Sequence, residues 1–547
     1  MGRLQWRRAR PARRIVSACA RRAAPLPSTA STQPRKSVLN IVRFRTSATV
    51  VPRIRRPGLQ RLLLGGLAAA SIAGSACAGP ALSRVPAPVA AALAGADMPA
   101  DRLAYVAYRL DAPGERLAWQ DGRAMQPGST MKVVTAIVAL DVLGPNATGS
   151  TDVLSATVPA DGVLRTPLYL RGGGDTDLDW GALWSLLQRV RDAGIVDLRG
   201  GVVVDRHLFE PARLDAGVPP FDEAPEADYN VIPDALHLNG SLLEYGLSAA
   251  DGVVTASVEP AWPGIAVHAE GLQPSDLRCD DWEDGWRTPS VVAADGRVDI
   301  YLHGTFPRDC RQTMSLNLVD RQFLAATAIR RVWEALGGRL DGPVVEGTTA
   351  AAAQVIAHHE GRPLAEVLHG ALKRSDNALT RLTYLRLGAA AAASGAAGAT
   401  PRLAAAQVHE WLRAHHVDAD GLVLDNGSGL SRSERISPRT LAAMLAVSAR
   451  SLHAPELLSG LPVAGIDGTL KHRLNDPPAE GRARLKTGLL RNAVGIAGFV
   501  TDRRDHVWVV AAMVNDERAA DKGQPVLDAL IQWLAGRPGP MRAAKTR

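Results

Sequence analysis

The sequence is poor in aromatic residues, cysteine and lysine. Aromatic residues make up 4% of the 547 residues and only four are cysteines, which excludes a small domain held together by many disulfides. Seven lysines stand beside 56 arginines, so this chain uses arginine wherever a plain cation suffices. Each lysine is therefore a candidate for a role that needs an amine able to lose its proton. With 46% hydrophobic residues, the chain is long enough for one large or two to three ordinary domains with a real core.

Acidic residues are absent from the first 61 positions, which hold 16 of the 63 lysines and arginines. The other 486 residues carry the remaining 47 basic residues against all 55 acidic ones, a net charge of −8. The overall charge of +8 thus belongs to the amino end, and the part expected to fold is acidic. This distribution removes the main argument for a nucleic-acid partner, and we expect none.

An export signal is predicted at the amino end, where the apolar run LLLGGLAAASIAGSACA (62–78) follows several arginines. A basic segment, a short apolar stretch and small residues at a cleavage point are typical of a signal peptide, here within a basic extension spanning 1–78. Cleavage after Ala78 predicts a periplasmic protein, whereas the lipobox-like GSAC ending at Cys77 predicts a lipoprotein. An organellar transit peptide is the competing interpretation. Membrane contact is expected to be peripheral or through a lipid anchor at most.

The order of strand-like and helix-like segments predicts an α+β fold whose two halves are distant in sequence. Alternating patterns predict hairpins over 103–120 and 494–514, and apolar helices follow from 129 and 526. Together they suggest one antiparallel sheet flanked by helices. We expect a linker at 79–100, a main domain at 101–155 plus 346–537, inserted β-rich subdomains at 156–345 and a flexible tail at 538–547.

The first candidate site is Ser129-Thr130-Met131-Lys132, the only S-x-x-K in the chain. At the start of a helix, this spacing places the hydroxyl and the amine on nearly the same face. Backbone N–H groups at a helix amino terminus also face any oxyanion formed there. An ordinary lysine, with a pKa of about 10.4, is charged, so this one must be buried or lie near another cation to act as a base.

Two more candidate motifs lie in the second half of the chain. Ser375-Asp376-Asn377 falls between two helical segments, which leaves its side chains free to face a cleft. Ser315-Leu316-Asn317 has the same S-x-N pattern but no such junction. The extended run RARLKTG ends in Lys486-Thr487-Gly488, and glycine at a strand edge lets another backbone approach closely.

Taken in order, S-x-x-K, S-x-N and K-T-G are typical of class A β-lactamases and penicillin-binding proteins. The motifs are separated by 246 residues from Ser129 to Ser375 and by 111 residues from Ser375 to Lys486. This spacing resembles the D-alanyl-D-alanine carboxypeptidase/endopeptidase family of the penicillin-binding protein 4 type, peptidase family S13. Further resemblances are LYLRGGGD (168–175), VVVDRHLF (202–209), DNGSGLSR (425–432) and LPVAGIDGTL (461–470). The resemblance implies a β-lactamase/transpeptidase-like domain with one or two β-rich subdomains inserted between the first two motifs.

The resemblance also implies a role for each motif residue. Ser129 is the expected nucleophile and Lys132 its base, while Ser375 and Asn377 relay protons and hold the substrate amide. Lys486 lowers the pKa of Lys132 and attracts a carboxylate. The implied substrate-binding residues are Asp376, Thr487, Gly488 and Leu489, with the backbone N–H groups of Ser129 and Leu489 forming the oxyanion hole. No metal or organic cofactor is implied.

The function implied is an exported serine D-Ala-D-Ala carboxypeptidase/DD-endopeptidase. It would hydrolyse peptidoglycan stem peptides through an acyl-enzyme and be acylated by β-lactams. Leu489 departs from the Thr or Ser commonly found after K-T-G, and this removes a hydroxyl that could bind a carboxylate. Two alternatives are a β-lactamase and a non-catalytic wall-binding or antibiotic-sensing protein.

Cysteine usage predicts one disulfide in the exported part of the chain. Cys19 and Cys77 belong to the amino-terminal segment, which leaves Cys279 and Cys310 as an even pair. A disulfide closing this loop would stabilise the fold by about 3 to 4 kcal/mol. The alternative is two unrelated buried thiols.

Overall fold

The computed structural model describes residues 85–537, so the predicted signal region (1–78) and the predicted tail (538–547) lie outside the described residues. Within 85–537, no helix is both long enough and apolar enough to span a bilayer. The α-helices of the described residues are α1 (Ala87–Gly95), α2 (Met131–Val142), α3 (Trp180–Asp192), α4 (Arg321–Ala335), α5 (Leu364–Arg374), α6 (Asn377–Ala393), α7 (Thr400–Ala414), α8 (Pro438–Ser448), α9 (Ala454–Gly460) and α10 (Ala519–Ala535).

The strands of the same residues form two groups in sequence. Those of the first group are β1 (Leu103–Arg109), β2 (Arg116–Trp119), β16 (Ala483–Leu490), β17 (Ala493–Thr501) and β18 (Val507–Asn515). Those of the second are β3 (Ser150–Ser155), β4 (Val163–Leu164), β5 (Leu168–Gly173), β6 (Asp197–Leu198), β7 (Val202–Asp205), β8 (Leu243–Ala250), β9 (Val253–Glu259), β10 (Ile265–Ser275), β11 (Trp286–Ala294), β12 (Arg297–Pro307), β13 (Arg311–Leu316), β14 (Val344–Glu346) and β15 (Gln354–Glu360).

The first group forms a five-stranded antiparallel sheet in the order β16-β17-β18-β1-β2, as the two predicted hairpins suggest. Strand β1 from one end of the chain pairs with β18 from the other, with Leu103 opposite Val514. Alternate residues of β1 enter different cores because successive side chains of a strand point to opposite faces. Ala104 and Val106 pack in the core that holds α2 and α8, whereas Leu103 packs with α1 and α10. The sheet is therefore covered by helices on both faces, and the predicted α+β class is confirmed.

Helix α1 corrects the prediction of a linker over 79–100. The Ala-rich segment Ala87–Gly95 is helical, with proline at its first turn, where the missing N–H costs nothing. Val89 and Leu93 are buried one turn apart, and they join the core formed with α10. The alanines that suggested a linker are good helix formers, and two apolar residues on one face are enough to dock them.

Strands β3 to β15 form the insertion, and its ends differ from those predicted. Sheet β14-β7-β5-β3-β15 pairs β3 with β15, so residues 150–155 and 354–360 belong to the insertion rather than to the main domain. In this sheet β5, β7 and β14 run parallel, with α3 and α4 packed in its core, so this part is mixed α/β rather than β-rich. The second part is β-rich, with sheets β10-β12-β11 and β13-β8-β9 sharing one core.

Cys279 and Cys310 form a disulfide with their Cα atoms 5.4 Å apart. Cys279 precedes β11, and Cys310 lies just before β13 in the β-rich part of the insertion. Cys310 is buried in the shared core, while Cys279 packs at its margin. The disulfide therefore links the two three-stranded sheets of this subdomain.

Candidate active site

Ser129 and Lys132 lie one helical turn apart at the amino end of α2. Residues Gly128–Thr130 form a 3₁₀ turn that leads directly into the helix. The Lys132 Nζ contacts the Ser129 Oγ at 3.0 Å. Ser129 is half-buried, whereas Lys132 has no exposed surface. The predicted face of S-x-x-K is therefore present, with the hydroxyl toward solvent and the amine beneath it.

The Lys132 amine is surrounded by oxygen atoms in a dry environment. Its Nζ donates to the Asn377 Oδ1 at 2.5 Å and to the Ser428 carbonyl at 2.6 Å. Burial, and then the nearby charge of Lys486, lowers the pKa of Lys132 well below the usual lysine range. At a given pH, an amine with a lowered pKa is more often a free proton acceptor than an exposed lysine is.

Lys486 is the second fully buried lysine of the site. It lies on β16, the edge strand of the five-stranded sheet, and its Nζ donates to the Ser375 Oγ at 2.9 Å and to the Thr487 carbonyl at 2.8 Å. Burial lowers the pKa of Lys486 to about 7. Two amines with lowered pKa values thus approach the nucleophile region from a helix and from a strand.

The S-x-N motif lies at the junction between α5 and α6. Ser375 ends α5 in the left-handed region, with φ of 62°, so the chain turns sharply before α6 begins. Asn377 is buried, and its amide bridges two parts of the molecule: Oδ1 accepts from Lys132, and Nδ2 donates to the Tyr229 carbonyl at 2.9 Å. The other candidate, Ser315-Leu316-Asn317, begins on β13 in the insertion.

Asp376 differs from its expected role in substrate binding. Its carboxylate accepts the Leu379 backbone N–H at 2.9 Å, which caps the amino end of α6. Ser375 and Asn377 line the cleft, whereas Asp376 is turned into the helix cap. The structure therefore gives Asp376 a structural role, because an aspartate directly before a helix satisfies its free N–H groups.

The K-T-G segment runs beside the turn that carries Ser129. A side chain at Gly488 would come within 2.5 Å of the Pro127 carbonyl and 2.9 Å of the Ser129 nitrogen, so only glycine fits. The Thr487 hydroxyl shares a hydrogen bond of 2.8 Å with that of Thr469. Leu489 is 53% exposed, and its side chain faces the cleft without offering a hydroxyl.

A cleft of about 840 Å³ lies over these side chains. Part of its lining comes from the insertion, in the segment between β7 and β8. The Arg491 guanidinium forms an ion pair of 2.9 Å with Glu223 of this segment. The residues that line the cleft include Ser129, Ser375, Asn377, Thr487, Gly488 and Leu489 from the main domain, and Phe221, Asp222, Glu223 and Tyr229 from the insertion.

Two backbone carbonyls at the site, those of Ser428 and Tyr229, are absent from the sequence-based prediction. Each accepts a hydrogen bond from a motif side chain, Ser428 from Lys132 and Tyr229 from Asn377. Ser428 lies in the DNGSGLSR segment, one of the segments that resemble the S13 family. The sequence therefore draws attention to this loop but does not indicate that the Ser428 carbonyl contacts Lys132. Tyr229 carries no such signal.

Comparison with known proteins relates the chain to one family over almost its whole described length. The D-Ala-D-Ala carboxypeptidase 3 (S13) family matches residues 86–536. The chain is 29% identical over 439 residues to a D-alanyl-D-alanine carboxypeptidase of Actinomadura sp. (strain R39), covering 78% of this chain and 80% of that protein. It is 27% identical over 403 residues to D-alanyl-D-alanine carboxypeptidase DacB of Haemophilus influenzae, covering 73% and 82% respectively.

A solved structure supports the same fold. The crystal structure of penicillin binding protein 4 (dacB) from Haemophilus influenzae superposes with a TM-score of 0.70 at 24% identity. The match covers 82% of this chain and 99% of that protein. The same protein has also been solved in complex with a β-lactam.

Proposed function

Since the chain belongs to the D-Ala-D-Ala carboxypeptidase 3 (S13) family, a family of serine-type carboxypeptidases acting on peptidoglycan, we propose that Ser129 is its acylated nucleophile. The enzyme would be exported and would cleave stem peptides after D-Ala through an ester on this serine. The observation that carries the proposal is the fully buried Lys132 amine 3.0 Å from the Ser129 hydroxyl.

Acylation begins with transfer of the Ser129 hydroxyl proton to the neutral Lys132 amine. The Ser129 Oγ then bonds to the carbonyl carbon of D-Ala, and the backbone N–H groups of Ser129 and Leu489 stabilise the oxyanion. Collapse of this intermediate breaks the carbon–nitrogen bond, and the proton held by Lys132 passes through Ser375 to the leaving amine, which returns Lys132 to its neutral form. The ion-dipole contact between Lys486 and the Ser375 hydroxyl at 2.9 Å supports this relay.

Deacylation follows the same route with water in place of the hydroxyl. Lys132 takes a proton from the water, the oxygen attacks the ester carbon, and the ester bond breaks. The Ser129 oxygen recovers its proton and the shortened peptide leaves as an acid. Asn377 supports both steps because its amide is held between Lys132 and the Tyr229 carbonyl and can orient the substrate amide next to them.

We propose cleavage of cross-links between D-Ala and diaminopimelate in addition to release of terminal D-Ala. A small leaving group ends in a carboxylate, which a hydroxyl after K-T-G would help to bind, and Leu489 lacks one. A longer leaving group depends less on that contact because it can bind along the cleft of about 840 Å³. Export itself is proposed from the apolar run at 62–78, which lies outside the described residues.

The decisive experiment is labelling with a fluorescent penicillin, followed by digestion of cross-linked muropeptides. We expect one label per wild-type molecule and none on Ser129→Ala, while Ser185→Ala, an exposed serine of α3, labels like wild type. Label on Ser129→Ala would contradict the assignment of the nucleophile. Labelling without muropeptide turnover would favour the non-catalytic alternative, and rapid nitrocefin hydrolysis would favour the β-lactamase.

A further inference from the structure

A buried carboxyl group, that of Glu434, lies behind the loop that contacts Lys132. Glu434 has no exposed surface. Its Oε1 accepts the backbone N–H groups of Asp425, Asn426 and Gly427 at 3.2, 3.1 and 2.7 Å, and its Oε2 accepts that of Gly429 at 2.8 Å. Four N–H groups within five residues thus converge on one carboxylate. Burial raises the pKa of Glu434, and the N–H groups that it accepts oppose this shift. These hydrogen bonds fix the loop around the carboxyl group.

The loop held in this way presents two carbonyls to helix α2. The Gly427 carbonyl accepts from the Thr135 hydroxyl at 2.7 Å, and the Ser428 carbonyl accepts from the Lys132 Nζ at 2.6 Å. Thr135 and Lys132 are three residues apart and lie on the same side of the helix. The conformation of the loop therefore determines where one of the hydrogen-bond acceptors of the proposed base lies.

Backbone geometry shows why the loop needs a buried hydrogen-bond acceptor. Gly427 and Gly429 have φ values of 72° and 86°, in the left-handed region that glycine tolerates. Successive N–H groups in such turns point inward and form a concave site for an anion. The loop is also tightly packed, since a side chain at Gly429 would lie 1.9 Å from the Gly128 carbonyl, next to Ser129. Without its carboxylate, the loop would leave several buried N–H groups unpaired.

The same loop is held from its other end by Arg381. The Arg381 guanidinium donates to the Leu430 carbonyl at 3.3 Å and to the Val231 carbonyl, in the insertion, at 3.0 Å. The positive charge of Arg381 interacts favourably with Glu434, which offsets part of the cost of burying a carboxylate. The carboxylate is thus part of the support around the pocket rather than an isolated buried charge.

We propose that Glu434 is a positioning residue for acyl transfer: by filling the anion site of loop 425–429, it fixes the Ser428 carbonyl against the Lys132 amine. The inference rests on the proposed function of Ser129 and Lys132. Glu434 contacts neither the substrate cleft nor the Ser129 hydroxyl in the described contacts, so its effect on the reaction passes through the loop.

The test compares acylation rate constants of Glu434→Ala and Glu434→Gln by fluorescent penicillin, each normalised to the fraction of protein that can be labelled. Glutamine retains an oxygen for the three N–H groups of Asp425, Asn426 and Gly427, whereas alanine retains none. We expect the alanine variant to acylate about 100-fold more slowly, because the base is displaced. We expect the glutamine variant to remain within about tenfold of wild type, because one hydrogen bond is lost.

A matched control is Asp502→Ala, in the turn between β17 and β18. The Asp502 carboxylate is also buried and accepts N–H groups from Arg504 and His506 at 2.8 and 3.0 Å. Its loss should lower the melting temperature without slowing acylation. Any of three results would overturn the inference. The acylation rate constant of Glu434→Ala could lie within threefold of wild type, the two Glu434 variants could have equal rate constants, or Asp502→Ala could lose as much of the rate constant as Glu434→Ala. Failure of the wild type to be labelled would instead count against the proposed function.

Discussion

Replacing Lys132 by arginine tests whether the reaction needs an amine that can lose its proton. At pH 7.5 a lysine with the ordinary pKa of about 10.4 is uncharged in about one molecule in 800, which corresponds to a free-energy cost of about 4 kcal/mol. Burial and the neighbouring Lys486 charge lower the pKa of Lys132 and so reduce this cost. Arginine in the same place stays protonated, because its pKa is at least about 12.5. We expect the acylation rate constant to fall by about 10² to 10⁴, the usual contribution of a general base.

The assay is stopped-flow labelling with fluorescent penicillin at pH 7.5. Lys471→Arg, an exposed lysine in the same domain, is the control and should label at the wild-type rate. Arginine is larger than the buried lysine that it replaces. Lys132→Met, which removes the amine without adding bulk, is therefore measured in parallel, and both variants are checked for a cooperative melting transition. A folded Lys132→Arg protein that retains more than a tenth of the wild-type rate constant would refute the assignment of Lys132 as the base.

Two further predictions concern stability. Lys486 has a pKa of about 7 when folded, below the ordinary value of about 10.4, so its contribution to the free energy of unfolding increases as the pH rises from 7 to 10. Lys486→Met should therefore be more stable relative to wild type at pH 6 than at pH 10. This difference in the free energy of unfolding should change by at most about 5 kcal/mol between the two pH values. A pH-independent difference in denaturant titrations would contradict the prediction. Replacing both Cys279 and Cys310 by serine should lower the stability of the insertion by about 3 to 4 kcal/mol, because the bridge closes a loop with a sequence separation of 31. Acylation should be unchanged, because neither cysteine lines the cleft. An unchanged denaturation midpoint for the insertion would show that the disulfide adds nothing.

The motif side chains that the structure brings together could be selected from sequence because the predicted chemistry constrains their type and their local spacing. Ser129 and Lys132 must share one face of a helix, and Lys486 must precede a glycine that lets two backbones meet. The main sheet could be anticipated for a similar reason, since the hairpins at the two ends have alternating patterns. Family S13 was identified from the motifs together with their spacing, and the family match confirms it.

The supporting parts of the site could not be predicted, because they use groups that every residue has. The carbonyls of Ser428 and Tyr229 contact Lys132 and Asn377, and no residue type marks a position whose carbonyl is needed. Asp376 was misassigned because a helix cap and a ligand-binding carboxylate look alike in a sequence.

The boundaries of the insertion were wrong for a different reason. Strands β3 and β15 close the inserted sheet by pairing with each other across about 200 residues, and nothing local distinguishes them from strands of the main sheet. Likewise, α1 becomes a helix by docking on α10, which is contributed by the opposite end of the chain. Such long-range partners are set by tertiary packing and are invisible to periodicity alone.

The pairing of β1 with β18 determines when the five-stranded sheet can be completed. An amino-terminal fragment that stops before residue 507 contains Ser129, Ser375 and Lys486, yet it lacks the central strand between β17 and β1. A chain whose last fifty residues are still held by the ribosome therefore cannot complete the five-stranded sheet. Until β18 is in place, the edge pair β16-β17 that carries Lys486 is not joined to β1 and β2.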